Sequence, residues 1–207
     1  MARARSFLMT FLKIGVWIGA LIPLGLLIDA YLSGALFFVD PIEQIQRKTG
    51  IAALILLFLT LAVTPFRRLT GWNKIIRFRR LLGLFAFFYA SLHASSYFFF
   101  DQELSVANIF ADIKEHPWVL VGFSAFMFLI PLAVTSTTGW IRRIGGKRWR
   151  RLHMLIYPIA ILGVLHFYWL IKIDATEPYK FAAILAVLLG SRLLIWKRAS
   201  LTNRPNK

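Results

Sequence analysis

Residues 81–100 read LLGLFAFFYASLHASSYFFF, twenty consecutive positions without a charge, closed off by Arg79 and Arg80 before them and Asp101 after. At a helical rise of 1.5 Å, twenty residues cover about 30 Å, the thickness of a bilayer's hydrocarbon core. The stretch therefore reads as a transmembrane helix, and the same reading works outward in both directions. Apolar runs at about 7–28, 50–66, 117–138, 152–171 and 179–196 bring the expected spans to six. The second and sixth are the weakest by length. Lys13 and Arg192 fall inside the first and last runs, near ends from which a long side chain can reach the headgroups.

The composition agrees. Of 207 residues 58% are hydrophobic, and the mean hydropathy is +0.67. That is too apolar for an ordinary soluble domain and suits one bundle over residues 1–207. Cysteine is absent, which excludes disulfides, iron–sulfur clusters and thiolate metal sites. The first apolar run is long for a signal peptide and lacks a clear cleavage site, so it reads as a retained helix.

A net charge of +16 would suggest nucleic acid in a soluble protein, but the placement of the charges points to a membrane instead. Twenty of the 25 basic residues fall in four groups. Arg3, Arg5 and Lys13 stand at the amino-terminal end; Arg67, Arg68, Lys74, Arg77, Arg79 and Arg80 follow the second run. Arg142, Arg143, Lys147, Arg148, Arg150 and Arg151 follow the fourth, and Arg192, Lys197, Arg198, Arg204 and Lys207 close the chain. All nine acids lie in the other three connections. The positive-inside rule then predicts both termini in the cytoplasm, which an even number of spans requires. The expected fold is an all-α, six-helix integral protein of the inner membrane, with no nucleic-acid role.

Three histidines lie in or at the edge of these spans. His93 comes twelve residues after Leu81, and His166 fourteen after Leu152, so both sit about 18–21 Å from the cytoplasmic edge. Two imidazoles at one depth on two helices are what one heme iron needs on its two sides. His153 stands at the cytoplasmic edge, thirteen residues and about 20 Å from His166. In a straight helix the two would point roughly 140° apart, and Pro158 between them is the place for a kink or change of phase. Arg79 precedes His93 by fourteen residues, within about 40° of the same face. It is a poor iron ligand but suits a heme propionate.

Other uses compete for these histidines: a structural hydrogen bond between helices, or a proton relay. His116, beside Pro117 in an acidic connection, reads as a residue at a helix start. The aromatic runs at 85–89 and 97–100 could wall a macrocycle, half of them facing lipid instead. Trp118, Trp140, Trp149, Trp169 and Trp196 read as interfacial residues. The arginine clusters are topology signals that also meet anionic lipid.

Several stretches resemble a known family: DPIEQIQRKTG at 40–50, Thr64 and Pro65, RRLLGL at 79–84, LHASSY at 92–97, TST at 135–137, WRRLH at 149–153 and HFYW at 166–169. In that order and spacing they are similar to the heme-binding membrane subunits of the periplasmic methionine sulfoxide reductase system, the MsrQ or YedZ family, within the wider ferric-reductase-like transmembrane group. The resemblance implies b-type heme held by His93, His166 and His153, with FMN also ascribed to the family. It implies electrons taken from membrane quinones and passed to a periplasmic molybdopterin-containing catalytic subunit, which repairs oxidised proteins. The wider group is similar in using two His pairs, and this chain departs from that pattern at Arg79.

The expected function is thus electron transfer within an oxidoreductase complex, not stand-alone catalysis. One alternative is a transmembrane ferric reductase fed by a cytoplasmic flavin reductase; another, of a different class, is a histidine-based proton channel or transporter. The acidic stretch 101–115 is a candidate docking surface for a periplasmic partner.

Overall fold

The structure, a computed structural model, describes residues 2–38, 40–171 and 175–202, with side chains from 7 to 194 within those limits. The expected charges at Arg3, Arg5, Asp174, Lys197, Arg198, Arg204 and Lys207 lie outside the described side chains. No strand occurs among the described residues. The α-helices are α1 (Ala2–Leu32), α2 (Pro41–Thr70), α3 (Ile76–Ser96), α4 (Val106–Glu115), α5 (Pro117–Val134), α6 (Thr138–Ile144), α7 (Gly146–Leu152), α8 (Ile156–Leu170) and α9 (Thr176–Thr202). Short 3-10 turns join α2 to α3 and α7 to α8, and a π-turn (Tyr97–Asp101) ends α3.

Among the described residues, five segments are long and apolar enough to cross a membrane: Phe7–Leu32, Pro41–Thr70, Asn73–Asp101, Pro117–Val134 and Gly146–Leu170. They correspond to the first five expected spans. The sixth coincides with α9, whose first turns carry Glu177 and Lys180.

Helix α2 is the hub, with 56% of its apolar window buried against 6% for α1. It packs on α3 above all, and also on α1, α8 and α9, while α5 closes the other side against α8 and α3. Leu54, Leu57, Phe58 and Leu61 of α2 meet Phe85, Ala86 and Tyr89 of α3, Leu129 of α5 and Ile159 and Ala160 of α8 in one core. The outward faces stay apolar, as at Phe7, Leu69 and Val187, which suits lipid rather than water.

Two spans depart from the sequence expectation. Residues 41–49, expected as part of a connection, form the first turns of α2. Asp40 caps them, its carboxylate accepting from the backbone N–H groups of Ile42 and Glu43, with Pro41 at the first helical position. The far end stops at Gly71, whose φ of 70° closes a left-handed cap on the Arg67 carbonyl. The fourth span ends at Val134, four residues early, because Thr135–Thr137 make a turn and the Thr137 hydroxyl caps α6.

Pro158 matters as expected, one turn upstream of itself. Lacking an N–H, it leaves the Met154 carbonyl without its helical donor, and residues His153–Leu155 tighten into a 3-10 turn between α7 and α8. Three residues advancing at about 120° instead of 100° bring His153 from roughly 140° to roughly 80° away from His166 in azimuth.

Two polar side chains repair helices elsewhere. The Tyr89 hydroxyl accepts from Leu24 N–H (3.1 Å) and donates to the Ala20 carbonyl (2.7 Å), inserting itself into one rung of the α1 ladder beside Pro23. Arg192 was expected to reach the headgroups; it turns inward instead. Its guanidinium donates to the Leu61 carbonyl (2.6 Å) and to the Tyr157 hydroxyl (2.6 Å) and lies 5.2 Å from the Tyr157 ring centre. The physical reason is Pro65, four residues after Leu61 inside α2, which cannot supply the N–H that carbonyl would otherwise accept.

Candidate functional site

His93 and His166 come together. They project from α3 and α8, and their ring centroids are 6.0 Å apart at an interplanar angle of 78°. Both are half-buried. Each ring is fixed from behind in the same way. His93 Nδ1 lies 2.9 Å from the Gln46 carbonyl of α2, and His166 Nδ1 lies 2.8 Å from the Trp118 carbonyl of α5. A carbonyl can only accept, so Nδ1 carries the proton and donates in both rings. That leaves Nε2 with its lone pair on each, the tautomer a metal ligand needs.

The helices behind the rings are pared back to receive them. Four residues after each accepting carbonyl stands a glycine. A Cβ on Gly50 would sit 3.2 Å from His93 Nδ1, and one on Gly122 only 2.7 Å from His166 Nδ1. These floors, with Gln46 and Trp118, were not singled out as site residues by sequence reasoning. A backbone carbonyl has no sequence signature, although Gly50 lies within the motif at 40–50.

The arrangement fits a heme iron. Two imidazoles coordinating one metal from opposite sides at about 2 Å per bond would set their ring centres roughly 6 Å apart. No cluster of three or more His, Asp or Glu suited to a bare metal ion occurs among the described residues, so the pair has no carboxylate company. Of the aromatic runs, Phe87 of α3 stacks on Phe126 of α5 at 6.1 Å, while Phe99 and Phe100 are exposed.

His153 is not part of this pair. Its Nε2 lies 3.1 Å from the Thr135 hydroxyl, and its ring stacks on Trp149 at 4.0 Å. Trp149 also donates to the Thr135 carbonyl (2.9 Å). Trp149, expected as an interfacial residue, thus holds His153, and TST at 135–137 supplies the turn that both lean on. No second histidine faces His153 among the described residues. Arg79 does stand within electrostatic reach of it, as well as of Tyr157 and Arg192.

His116, expected only to start a helix, sits between α4 and α5, bonds Asp112 (2.7 Å) and packs on Trp118. Asp112 also accepts from the Tyr97 hydroxyl (2.7 Å). The acidic stretch 101–115 is therefore tied to the ends of α3 and α5, close to the paired histidines.

Residues 49–164 match the family described as ferric reductase like transmembrane component. A protein-methionine-sulfoxide reductase heme-binding subunit MsrQ from Xanthomonas campestris pv. campestris (strain 8004) is 54% identical over 161 residues, which is 78% of this chain and 72% of that one. The chain belongs to the MsrQ family of ferric-reductase-like membrane proteins. A relative of the same name from Herminiimonas arsenicoxydans is 48% identical over 198 residues, 94% of this chain and 90% of its own. The matched region begins at Thr49, beside the floor under His93, contains His93 and His153, and stops two residues short of His166. With several helices long and apolar enough to cross a membrane among the described residues, the MsrQ-family chain is a multi-pass inner-membrane protein.

Proposed function

We propose that this chain is the heme-carrying, electron-transferring membrane subunit of a protein-methionine-sulfoxide reductase, in which His93 and His166 would hold a b-type heme through their Nε2 atoms. One observation carries the reading: two imidazoles 6.0 Å apart, each donating through Nδ1 to a carbonyl and each with Nε2 free. The name shared by the relatives, heme-binding subunit, supports it.

Bound heme supplies a one-electron carrier inside the bilayer. The chain's own residues do the rest. The Gln46 and Trp118 carbonyls fix the tautomer and make each imidazole a stronger donor. Gly50 and Gly122 let the rings lie close against α2 and α5. The apolar helices keep water and its high dielectric away from the site.

On this reading residues 1–207 form one bundle of six spans, with α9 as the sixth and both termini cytoplasmic. The basic residues clustered at one side of the spans support that orientation. Electrons enter from membrane quinol and leave towards a periplasmic molybdopterin-containing subunit, which the motif resemblance supports. The acidic stretch 101–115, tied through Asp112 to Tyr97 and His116, is the docking surface proposed for that subunit. His153 and Arg79 belong to the cytoplasmic half, as a ligand and a propionate partner of a further heme. FMN rests on the resemblance alone and is assigned to no residue.

A pyridine hemochrome assay on purified protein, expressed with heme supplied, tests the core of this. A Soret band with about one or two b-type hemes per chain is the expected result; a colourless protein overturns it. Comparing heme reduction in sealed vesicles by a quinol with that by a nicotinamide–flavin reductase mixture tests the donor.

A further inference from the structure

Asp112 of α4 joins the end of the helix that bears His93 to the start of the helix that supports His166. Its carboxylate accepts from the Tyr97 hydroxyl (2.7 Å) and from His116 Nδ1–H (2.7 Å), and its carbonyl accepts from the His116 backbone N–H (2.7 Å). Tyr97 stands one turn after His93, at the close of α3, with its own N–H on the His93 carbonyl. His116 is the residue before α5. Its ring centre lies 4.5 Å from that of Trp118, whose carbonyl accepts from His166 Nδ1–H.

Trp118 sits in the first turn of α5, where N–H groups lack acceptors and helices fray. Pro117 opens that turn, and His116 makes no side-chain cap. The helix ladder alone holds such a turn weakly. Yet the Trp118 carbonyl must meet His166 Nδ1 at 2.8 Å, with the backbone of Gly122 directly under the ring. The Asp112 carboxylate supplies the restraint through His116. The path to α4 is itself strained, running through Glu103 (φ 51°) and Leu104 (φ 56°). Two consecutive non-glycine residues in the left-handed region persist only where surrounding contacts hold them. The His93 seat is secured differently: its acceptor, the Gln46 carbonyl, lies in α2, whose start is capped by Asp40 with Pro41 at the first position.

We propose that Asp112 is a positioning residue for His166. By clamping the start of α5 to the end of α3, it sets where the Trp118 carbonyl meets the imidazole, and so how His166 Nε2 is aimed. It acts on the imidazole through His116 and Trp118. The consequence for heme rests on the function proposed above, whereas the clamp is a property of the chain alone.

The test uses the full chain with its four histidines labelled with nitrogen-15, so that few signals need assignment. His93→Ala and His166→Ala assign the pair. In heme-free protein, Asp112→Ala should move the His166 Nδ1–H signal, as its hydrogen bond to Trp118 lengthens, and leave that of His93 in place. General loosening of the bundle would move both, so equal movement overturns the proposal, as does a His166 signal that stays where the parent has it. Glu43→Gln removes an exposed acid in the first turn of α2, at the same end of the bundle, and should move neither signal. A shift there matching that of Asp112→Ala would mean that charge and not the clamp is at work, and overturns the proposal. In heme-loaded protein, transfer of heme to apomyoglobin should be about tenfold faster from Asp112→Ala, the size of a lost outer-shell support of a ligating histidine. Transfer at the parent rate also overturns the proposal. Asp112→Asn keeps one acceptor oxygen for two donors and should fall between the parent and Asp112→Ala. It decides the matter if Asp112→Ala does not fold, as judged by helical circular dichroism. A parent chain that binds no heme overturns the proposed function instead, and the signals of the heme-free protein still decide the clamp.

Discussion

Gly122 gives His166 a seat that no other residue could leave open. A Cβ at that position would stand 2.7 Å from Nδ1, 2.8 Å from Cε1 and 3.1 Å from Cγ of the imidazole. The ring lies close against the backbone of α5, and the Trp118 carbonyl one turn earlier accepts a hydrogen bond from its Nδ1–H. Gln46 and Gly50 repeat the arrangement under His93, at the slightly greater distances of 3.2 and 3.3 Å from Nδ1 and Cε1. Two helices thus offer the same pair of features, a carbonyl and a glycine four residues on, to two histidines that face each other.

The first prediction follows from the difference between those distances. Gly122→Ala forces the ring or α5 to move, an overpacking that costs about 1–3 kcal/mol and tilts Nε2 off its line. Gly50→Ala needs a shift of only tenths of an ångström. Heme content per chain, read by pyridine hemochrome, should fall severely in Gly122→Ala and mildly in Gly50→Ala. Equal, full heme loading in both would show that the ring seats do not govern the site.

A second prediction separates the histidines. His93→Ala and His166→Ala each remove half of the proposed axial pair and should abolish the Soret band, or reduce it to what a second site holds. His153→Ala removes a ring whose Nε2 rests on Thr135 and should leave most of that band. The optical spectrum of each purified variant checks this, and a His153→Ala protein as colourless as His93→Ala would refute the pairing.

Much of this was legible in the residues, and the omissions have a common cause. The 81–100 run, the matched depth of His93 and His166, and the change of phase near Pro158 follow from length, rise and the missing proline N–H. What sequence reasoning could not see was main chain. The Gln46, Trp118 and Leu61 carbonyls hold the site and the bundle together, yet a carbonyl is present at every position. Its role appears only when folding brings a donor to it. Arg192 illustrates the point: charge and position suggested a side chain reaching for headgroups, but a carbonyl four residues before Pro65 offered a nearer partner. An arginine inside a span together with a proline in another helix is the signal that could have flagged the pair.

Tyr89 supports a third prediction. Its hydroxyl bridges Leu24 N–H and the Ala20 carbonyl within α1, and its side chain is 1% exposed. Tyr89→Phe keeps the ring but leaves both backbone groups to find each other across the space the oxygen filled. A loss of about 1–2 kcal/mol is expected, seen as a lower midpoint of thermal unfolding in detergent. Heme content should not change, because Tyr89 joins α3 to α1 and not to the histidine pair. An unchanged midpoint would mean that α1 closes its own rung at no cost.

The last prediction concerns Pro65 and Arg192 together. Arg192→Gln strands the Leu61 carbonyl, which loses a charge-assisted hydrogen bond of about 1.5–3 kcal/mol. Pro65→Ala supplies the missing N–H, so α2 can satisfy that carbonyl itself and the arginine is no longer needed there. If the carbonyl is the link, the two changes are coupled: Arg192→Gln should cost clearly less in a Pro65→Ala background than in the parent. Four unfolding midpoints, for the parent, each single variant and the double variant, measure the coupling. Strict additivity would mean that Arg192 stabilises the bundle through Tyr157 alone and that Pro65 has no part in positioning it.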